Sequence, residues 1–148
     1  MGRLEVEVET KSSADKIWEA IKETPTLFPK IFPDRYKSVE VLEGDGKNVG
    51  SVLLMNFVES TPGVTFSKDR IDEADEATKS LAYTVIEGEI LAVYTTFKAK
   101  LQVVPKGDGS LVKWSLEYEK ANEEVPEPNF IKDFATQTFK GLDAHFQN

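Results

Sequence analysis

Residues 93–120 read VYTTFKAKLQVVPKGDGSLVKWSLEYEK and carry the clearest fold signal in the chain. Apolar and polar residues alternate along 93–104 and again along 111–119, which is the period of a β-strand with one buried face. The turn-forming residues PKGDG, at 105–109, separate the two runs. Because two strands joined by a short turn pair antiparallel, this stretch predicts a hairpin.

The same alternation continues toward the N-terminus. Turn signals at 44–46 (GDG), 62–63 (PG) and 87–88 (EG) divide it into segments of strand length. The predicted strands are residues 4–8, 38–43, 51–59, 64–72, 79–87, 93–104 and 111–119. Consecutive strands with short connections form an antiparallel meander rather than alternating β–α–β units.

Helical spacing occurs outside these strands. Ser12, with Asp15 three residues later, is typical of a helix start. The apolar residues that share one face of this first helix are Ala14, Ile17, Trp18 and Ile21. Prolines at 25, 29 and 33 interrupt the next segment, which predicts one or two short helical turns. A wide apolar stripe predicts a long final helix, on Phe130, Ile131, Phe134, Ala135, Thr138 and Leu142. The fold class is therefore α+β, in one domain over residues 1–148.

Composition excludes several kinds of chemistry. The chain of 148 residues has no cysteine, which excludes disulfides, thiolate metal ligands and a cysteine nucleophile. His145 is the only histidine, so a multi-histidine metal centre is excluded and a catalytic triad is disfavoured. The net charge of −8 repels nucleic-acid phosphates and anionic membrane surfaces. The start MGRLEVEVET has no signal-peptide pattern, and no apolar run is long enough to span a membrane, so we expect a soluble cytoplasmic protein.

The predicted inward faces of the strands mix bulky apolar side chains with a few polar groups. On strand 93–104 the inward set is Val93, Thr95, Phe97, Ala99, Leu101 and Val103; on 111–119 it is Val112, Trp114, Leu116 and Tyr118; on 79–87 it is Leu81, Tyr83 and Val85; and on 64–72 it is Phe66, Lys68 and Arg70. Apolar walls with a few polar groups are typical of small-molecule pockets, but also of a solid core whose tyrosine hydroxyls reach the surface. Alternation alone leaves both interpretations open.

Longer motifs connect the chain to a known family. The stretch SKDRIDEAD at 67–75, followed by YTVIEG at 83–88, resembles the birch pollen allergen superfamily of plants, also called pathogenesis-related class 10. The segments VVPKGDGSLVKW at 103–114, NEEVPEP at 122–128 and DAH at 143–145 are similar to its major latex protein branch. This resemblance implies a helix-grip, START-like fold: a seven-stranded antiparallel sheet curled around a long C-terminal helix, with two short helices between strands 1 and 2.

The resemblance also implies a large internal cavity. Carried over by position, its lining is Leu53, Met55, Phe57, Phe66, Tyr83, Thr95, Phe97, Leu101, Trp114, Leu116 and Tyr118 on the sheet and Phe130, Phe134 and Thr138 on the helix, with Phe28, Ile31 and Phe32 at the entrance. The implied function is the binding of small hydrophobic ligands of sterol, flavonoid, hormone or fatty-acyl type, linked to defence or stress. No cofactor, no metal and no nucleic acid is expected, and a monomer is favoured.

Two other functions remain open. The first is a cofactor-free enzyme of alkaloid-type specialised metabolism, a cyclase or isomerase, with Tyr83, Tyr118 or Lys68 as its acid or base. Binding without turnover is favoured over this enzyme, because no lysine–carboxylate pair clearly points inward. The second is a protein-interaction module that signals whether the cavity is occupied.

Two local patterns are given structural interpretations, and one further activity is disfavoured. The loop EGDGKNVG at 43–50 resembles a phosphate cradle, but Glu43 and Asp45 would repel phosphate, so a strand-connecting turn is favoured. The acidic residues within 69–76 lack the spacing of a calcium loop and are interpreted as a solvated turn. Ribonuclease activity, which the family resemblance also raises, would need a basic groove, and Leu53 stands where that resemblance would place an inward lysine.

Overall fold

The computed structural model describes residues 2–58 and 64–147. The predicted turn at 62–63 and residue 59 of the predicted strand 51–59 lie outside the described residues. In chain order the elements are β1 (Gly2–Thr10), α1 (Ala14–Lys22), α2 (Thr24–Ile31), β2 (Tyr36–Glu43), β3 (Val52–Phe57), β4 (Phe66–Asp75), β5 (Ser80–Gly88), β6 (Tyr94–Lys106), β7 (Gly109–Lys120) and α3 (Asn129–Gln147). A short 3-10 turn, Glu89–Ala92, joins β5 to β6.

The strands form one antiparallel sheet in the order β1-β7-β6-β5-β4-β3-β2. Strands β2 to β7 follow one another as the meander that the alternating sequence predicts. Strand β1 pairs with β7, so that Val6 lies opposite Trp114 and Val8 lies opposite Val112. The predicted α+β class, with a seven-stranded antiparallel sheet, two short helices after the first strand and a long C-terminal helix, is confirmed.

The start of α1 is tied to the end of α3. The helix start expected at Ser12 shifts by one residue, because Ser13 Oγ accepts the hydrogen bond from Lys16 N at 3.3 Å. Ser12 binds α3 instead: its backbone amide and its hydroxyl donate to Asp143 Oδ1 at 2.9 and 2.7 Å. These bonds anchor the C-terminal part of α3, whereas its N-terminal part follows the polar loop at 121–128.

The fully buried part of the core lies beneath α1 and α3, where the two helices meet β1, β6 and β7. Ile17, Val112, Leu116 and Leu142 are each 0% exposed there. Trp18 joins this core at 2% exposure, and its indole Nε1 donates to Glu76 at 2.8 Å. This end of the molecule is therefore close-packed.

Irregular pairing bends the sheet, and one irregularity changes which residues of β6 face inward. The pairing of β6 with β7 shifts between Tyr94 and Thr96, so an extra residue is inserted at Thr95. Tyr94 is consequently 1% exposed on the inner side, whereas Thr95 is exposed to solvent. The prediction that Thr95 faces inward is wrong, because strict alternation does not hold across a bulge. Further shifts occur in β2–β3 and β4–β5.

Candidate ligand-binding cavity

A cavity of about 230 Å³ lies between the inner face of the curled sheet and α3. Its sheet residues are Tyr36, Leu53, Met55, Phe57, Ser67, Asp69, Ile71, Leu81, Tyr83, Val85, Phe97, Leu101 and Trp114, and its α3 residues are Phe130, Ile131, Phe134, Ala135, Thr138 and Phe139. Residues of α1, α2 and the connecting loops complete the wall. Most of these side chains are apolar, and a few polar groups lie among them, as in small-molecule sites.

Large aromatic side chains separate α3 from the strands on the β2–β3 side. The ring of Phe134 on α3 lies 6.5 Å from the ring of Phe57 and 6.5 Å from that of Tyr36, both in edge-on contacts. Tyr36 and Phe57 are themselves in contact at 5.4 Å. Register shifts in β2–β3 and β4–β5 bend the sheet, and the cavity lies between its inner face and α3.

Asp69 on β4 places a carboxyl group on the cavity wall. Asp69 is 9% exposed, and its Oδ1 accepts a hydrogen bond from Ser67 Oγ at 3.1 Å. None of the ion pairs among residues 2–58 and 64–147 includes Asp69. Burial raises the pKa of Asp69 to about 7, because the charged form loses its hydration. This carboxyl group therefore changes its charge near neutral pH.

Two tyrosines face the same part of the cavity. Burial raises the pKa of both Tyr36 and Tyr83 well above the ordinary value, and the negative charge of Asp69 raises both further. Both phenols are consequently neutral hydrogen-bond donors at any physiological pH. Asp69, Tyr36 and Tyr83 therefore form a group of polar side chains on the sheet side of a largely apolar wall.

Arg35 and Phe130 lie at the edges of the cavity. The Arg35 guanidinium stacks 4.5 Å from the ring centre of Phe134 and donates to Thr138 Oγ1 at 3.1 Å, so it links the segment before β2 to α3. Phe130 lines the wall but is 52% exposed, so it lies where the cavity meets solvent. An opening beside the first turn of α3 is the route that this exposure favours.

The structure brings most of the residues implied by the family resemblance to the cavity wall. Those on the wall are Leu53, Met55, Phe57, Tyr83, Phe97, Leu101, Trp114, Phe130, Phe134 and Thr138, with Phe28 from the predicted entrance. Their contact with a ligand stays a prediction. The wall does not include Phe66, Thr95, Leu116, Tyr118, Ile31 or Phe32.

Phe66 is placed on the opposite face of the sheet. The predicted inward set of β4, which is Phe66, Lys68 and Arg70, is wrong by one residue. The residues of β4 that line the cavity are Ser67, Asp69 and Ile71. Lys68 and Arg70 lie on the outer face, where Lys68 Nζ pairs with Glu87 at 2.9 Å and remains partly hydrated. The two cations Lys68 and Arg70 therefore lie on the face of β4 that is turned away from the cavity.

Leu116 and Tyr118 face inward but are enclosed by other side chains. Leu116 is 0% exposed and belongs to the close-packed core beneath the helices. The Tyr118 hydroxyl donates to the Glu127 carboxylate, and the Tyr118 ring packs edge-on against Tyr94 at 5.8 Å. Tyr118 therefore holds the loop before α3 and is removed from the candidate acid–base groups. At the predicted entrance, Phe32 packs against Phe28 at 5.7 Å, outside the wall.

Asp69 is the important residue that sequence reasoning missed. It belongs to the acidic run at 69–76, for which the sequence predicts a solvated turn. The usable signal is the alternation of Lys68, Arg70 and Asp72, whose charges occupy one face of β4 and place Ser67, Asp69 and Ile71 on the other. Tyr36 was missed because β2 begins before the predicted residue 38.

The glycine-rich loop after β2 is a strand-connecting turn. Asp45 Oδ1 accepts hydrogen bonds from the backbone amides of Lys47 and Asn48, both at 2.9 Å, and these bonds lower the pKa of Asp45. Because this carboxylate already occupies the amides, the loop is not arranged to hold a phosphate. Elsewhere in the described ranges, no cluster of three or more acidic or histidine side chains could hold a metal ion. No helix within 2–58 or 64–147 is long and apolar enough to cross a membrane.

A bent antiparallel sheet that holds a long helix over an apolar cavity defines the helix-grip class of ligand-binding folds. The chain matches the Pathogenesis-related protein Bet v 1 family over residues 1–148, and it belongs to this family. Within the family it falls in the major latex protein branch. It is 47% identical to MLP-like protein 423 of Arabidopsis thaliana over 144 residues, which cover 97% of this chain and 93% of that protein.

Solved structures show the same architecture. The major latex-like protein 151 of Panax ginseng superimposes with a TM-score of 0.88 at 30% identity, covering 97% of this chain and 96% of that one. Norcoclaurine synthase of Thalictrum flavum, solved in complex with dopamine and hydroxybenzaldehyde, superimposes with a TM-score of 0.75 at 25% identity, covering 99% of this chain and 86% of that one. The fold therefore occurs both in a major latex-like protein and in an enzyme.

Proposed function

We propose that this protein binds small hydrophobic plant molecules in the cavity between the sheet and α3. The single observation that carries the proposal is an apolar cavity of about 230 Å³ with a few polar groups on its wall. Folded proteins normally fill such space, since interiors pack as densely as organic crystals. An apolar hole of about 150 Å³ already accepts benzene, so this one suits a molecule of one or two rings without rearrangement.

The ligand classes expected for the family differ in how well they fit. Compact flavonoid-like or hormone-like molecules are closer to the cavity volume, whereas a sterol or a long acyl chain would require α3 to move outward. Burial of apolar ligand surface supplies the driving force, at about 25 cal/mol per Å². Tyr83 would orient the ligand through a hydrogen bond. Family membership supports a role in defence or stress and a cytoplasmic location for the protein.

A titration with cavity variants tests this proposal. Phe97 lines the cavity, whereas its neighbour Lys98 is exposed on the same strand, so Phe97→Ala and Lys98→Ala form a matched pair. Ala135→Leu adds a second test, because it places extra volume on the α3 side of the cavity. For ligands detected by Trp114 fluorescence or calorimetry, we expect Phe97→Ala and Ala135→Leu to weaken binding at least tenfold, and Lys98→Ala to leave it unchanged. Unchanged affinity in both cavity variants, for every ligand that binds, would show that the cavity is not the site.

Proton-transfer catalysis is a second candidate function, favoured by one specific observation. Asp69 is a cavity carboxyl group with a pKa raised to about 7, and a general acid or base works best when its pKa is close to the operating pH. Tyr83 faces it across the same wall, whereas Lys68 and Tyr118 do not line the cavity. If the purified protein converts a metabolite, Asp69→Asn and Tyr83→Phe should each reduce kcat by at least a hundredfold. Turnover that both variants retain would contradict a catalytic role for these side chains.

A further inference from the structure

We propose that Asp69 makes the cavity selective for ligands that carry a protonated amine, with the carboxylate as the counter-ion of that amine. The inference rests on the proposed binding function and names the chemical class of the guest. Asp69 is only 9% exposed and lies on a largely apolar wall. Within the described residues, its side chain has one hydrogen-bond partner, the neutral hydroxyl of Ser67. A buried carboxylate normally has a cationic partner or a full set of hydrogen bonds.

The cations nearest in sequence to Asp69 cannot serve as its partner. Lys68 and Arg70 lie on the outer face of β4, where Lys68 pairs with Glu87 at 2.9 Å and Arg70 pairs with Asp72 at 2.8 Å. Alternation along the strand keeps both side chains on the side of the sheet away from the cavity.

The cations on the cavity wall are also engaged elsewhere. Lys22 lines the cavity from α1, but its ammonium group pairs with Glu19 at 3.2 Å and with Glu76. Lys47 lines it from the loop after β2, and its ammonium group pairs with Glu23 at 2.8 Å.

The elements that surround Asp69 present neutral groups to it. Strand β3 places Leu53 opposite Asp69, and β5 places Val85 opposite it. Tyr36 from β2 and Tyr83 from β5 are neutral phenols, and α3 contributes Thr138 and apolar side chains to the wall.

Arg35 is a further cation beside the cavity. Its guanidinium is held at the edge of the cavity by Phe134 and Thr138. Within the described ranges the carboxylate therefore has no cation, and the cavity side is where one can reach it.

The chemistry of binding follows from this arrangement. Before binding, Asp69 keeps its proton up to nearly neutral pH, because burial raises its pKa to about 7. An incoming alkylammonium ion makes a charge-assisted hydrogen bond to the carboxylate, so the proton on Asp69 leaves to the buffer while the amine keeps its own. One neutral carboxyl group and one cation become an ion pair and a free proton. Above neutral pH, where Asp69 is ionised, a carboxylate ligand would be repelled from this end of the cavity.

Two probes that differ at one group test the proposal. Naphthylmethylamine and naphthylmethanol have the same two-ring body, and only the amine is cationic. Each is titrated into the intact protein and into Asp69→Asn, which keeps the shape of the side chain and removes its ionisation. Asp72→Asn is the matched control, since Asp72 lies on the outer face of the same strand and bonds to Thr84 and Arg70. Calorimetry in buffers of different ionisation enthalpy counts the protons released.

We expect the amine to bind the natural protein about tenfold or more tightly than the alcohol at about pH 8. The amine's affinity should fall about tenfold from about pH 8 to about pH 6, and about one proton should be released per amine bound near pH 6. Asp69→Asn should remove the preference for the amine, its pH dependence and the proton release, while Asp72→Asn should retain all three. The alcohol should bind the natural protein, Asp69→Asn and Asp72→Asn alike.

The outcomes separate this inference from the proposed function. If the alcohol binds and Ala135→Leu abolishes its binding, but the amine shows no preference or keeps it in Asp69→Asn, the counter-ion role of Asp69 is wrong and the cavity function stands. If neither probe binds the natural protein, both proposals fail for molecules of this size. If amine binding is tight but unaffected by Ala135→Leu, the amine occupies another site and the inference is overturned.

Discussion

Asp69 should make the unliganded protein less stable at about pH 8 than at about pH 5, and Asp69→Asn should remove that difference. In the unfolded chain the carboxyl group titrates near 3.8, whereas in the folded protein burial raises its pKa to about 7. The folded state therefore holds a proton that the unfolded state has released. Stability is highest while both states are protonated, and it decreases as the pH rises from the unfolded pKa to the folded pKa.

The size of this effect follows from the two pKa values. A difference of about three units corresponds to about 4 kcal/mol at about 1.4 kcal/mol per unit, of which about 3 kcal/mol is lost between about pH 5 and pH 8. The carboxylates with lowered pKa, such as Asp143 and Glu89, lose their stabilising effect in the acidic range and contribute little to this window. Groups that are unchanged between two variants cancel when those variants are compared.

Urea unfolding between about pH 5 and pH 8 is the assay, with protein refolded from denaturant so that no copurified molecule fills the cavity. The free energy of unfolding of Asp69→Asn minus that of the natural protein should rise by about 3 kcal/mol across the window, or roughly 6 to 12 °C in Tm. Asp72→Asn, on the outer face of β4, should run parallel to the natural protein. Parallel curves for Asp69→Asn as well would refute the assignment of a buried, unpaired carboxyl group.

Three further substitutions test the packing that frames the cavity. Leu142→Ala should lower the free energy of unfolding, measured by urea unfolding, by about 3 kcal/mol, because the side chain is 0% exposed. A loss well under about 1 kcal/mol would contradict the close-packed core. Asp143→Ala should cost about 2 kcal/mol at neutral pH by removing the acceptor of the Ser12 amide and hydroxyl, and the loss should shrink in acid as Asp143 is protonated in the natural protein. Gly109→Ala should lower Tm by several degrees, since the new Cβ would lie 2.0 Å from the Thr10 carbonyl oxygen. An unchanged Tm would mean that the backbone where β1 meets β7 can shift to admit the Cβ without loss of stability.

Local alternation predicts the strands well and their faces less well. The hairpin of β6 and β7 could be predicted because its apolar residues recur at period two over a long stretch, with a strong turn between them. Thr95 could not be placed, because a bulge depends on how β7 pairs with β6 and leaves no clear mark in β6 itself. On β4 the phase was lost because Asp69 is a charged residue on the buried side, against the usual pattern.

Whether an inward residue faces a void or packed atoms is a property of the whole fold. Trp114 and Leu116 share one face of β7, yet Trp114 lines the cavity and Leu116 is enclosed by other side chains. The difference arises from the path of α3 and the curl of the sheet. Family resemblance supplied the existence of a cavity, but the position of Asp69 on its wall required the structure.

The cavity and Asp69 are two unfavourable features of the same interior, and one molecule could relieve both. Where water stays out of it, a void of about 230 Å³ costs about 5.5 kcal/mol at about 24 cal/mol per Å³, and the buried carboxyl group costs about 4 kcal/mol above neutral pH. Together these costs are similar in size to the net stability of an ordinary domain, about 5 to 15 kcal/mol. A guest with a compact apolar body would recover the first cost, and its ammonium group would recover the second. If the guest were purely apolar, selection for stability alone would favour asparagine or leucine at position 69.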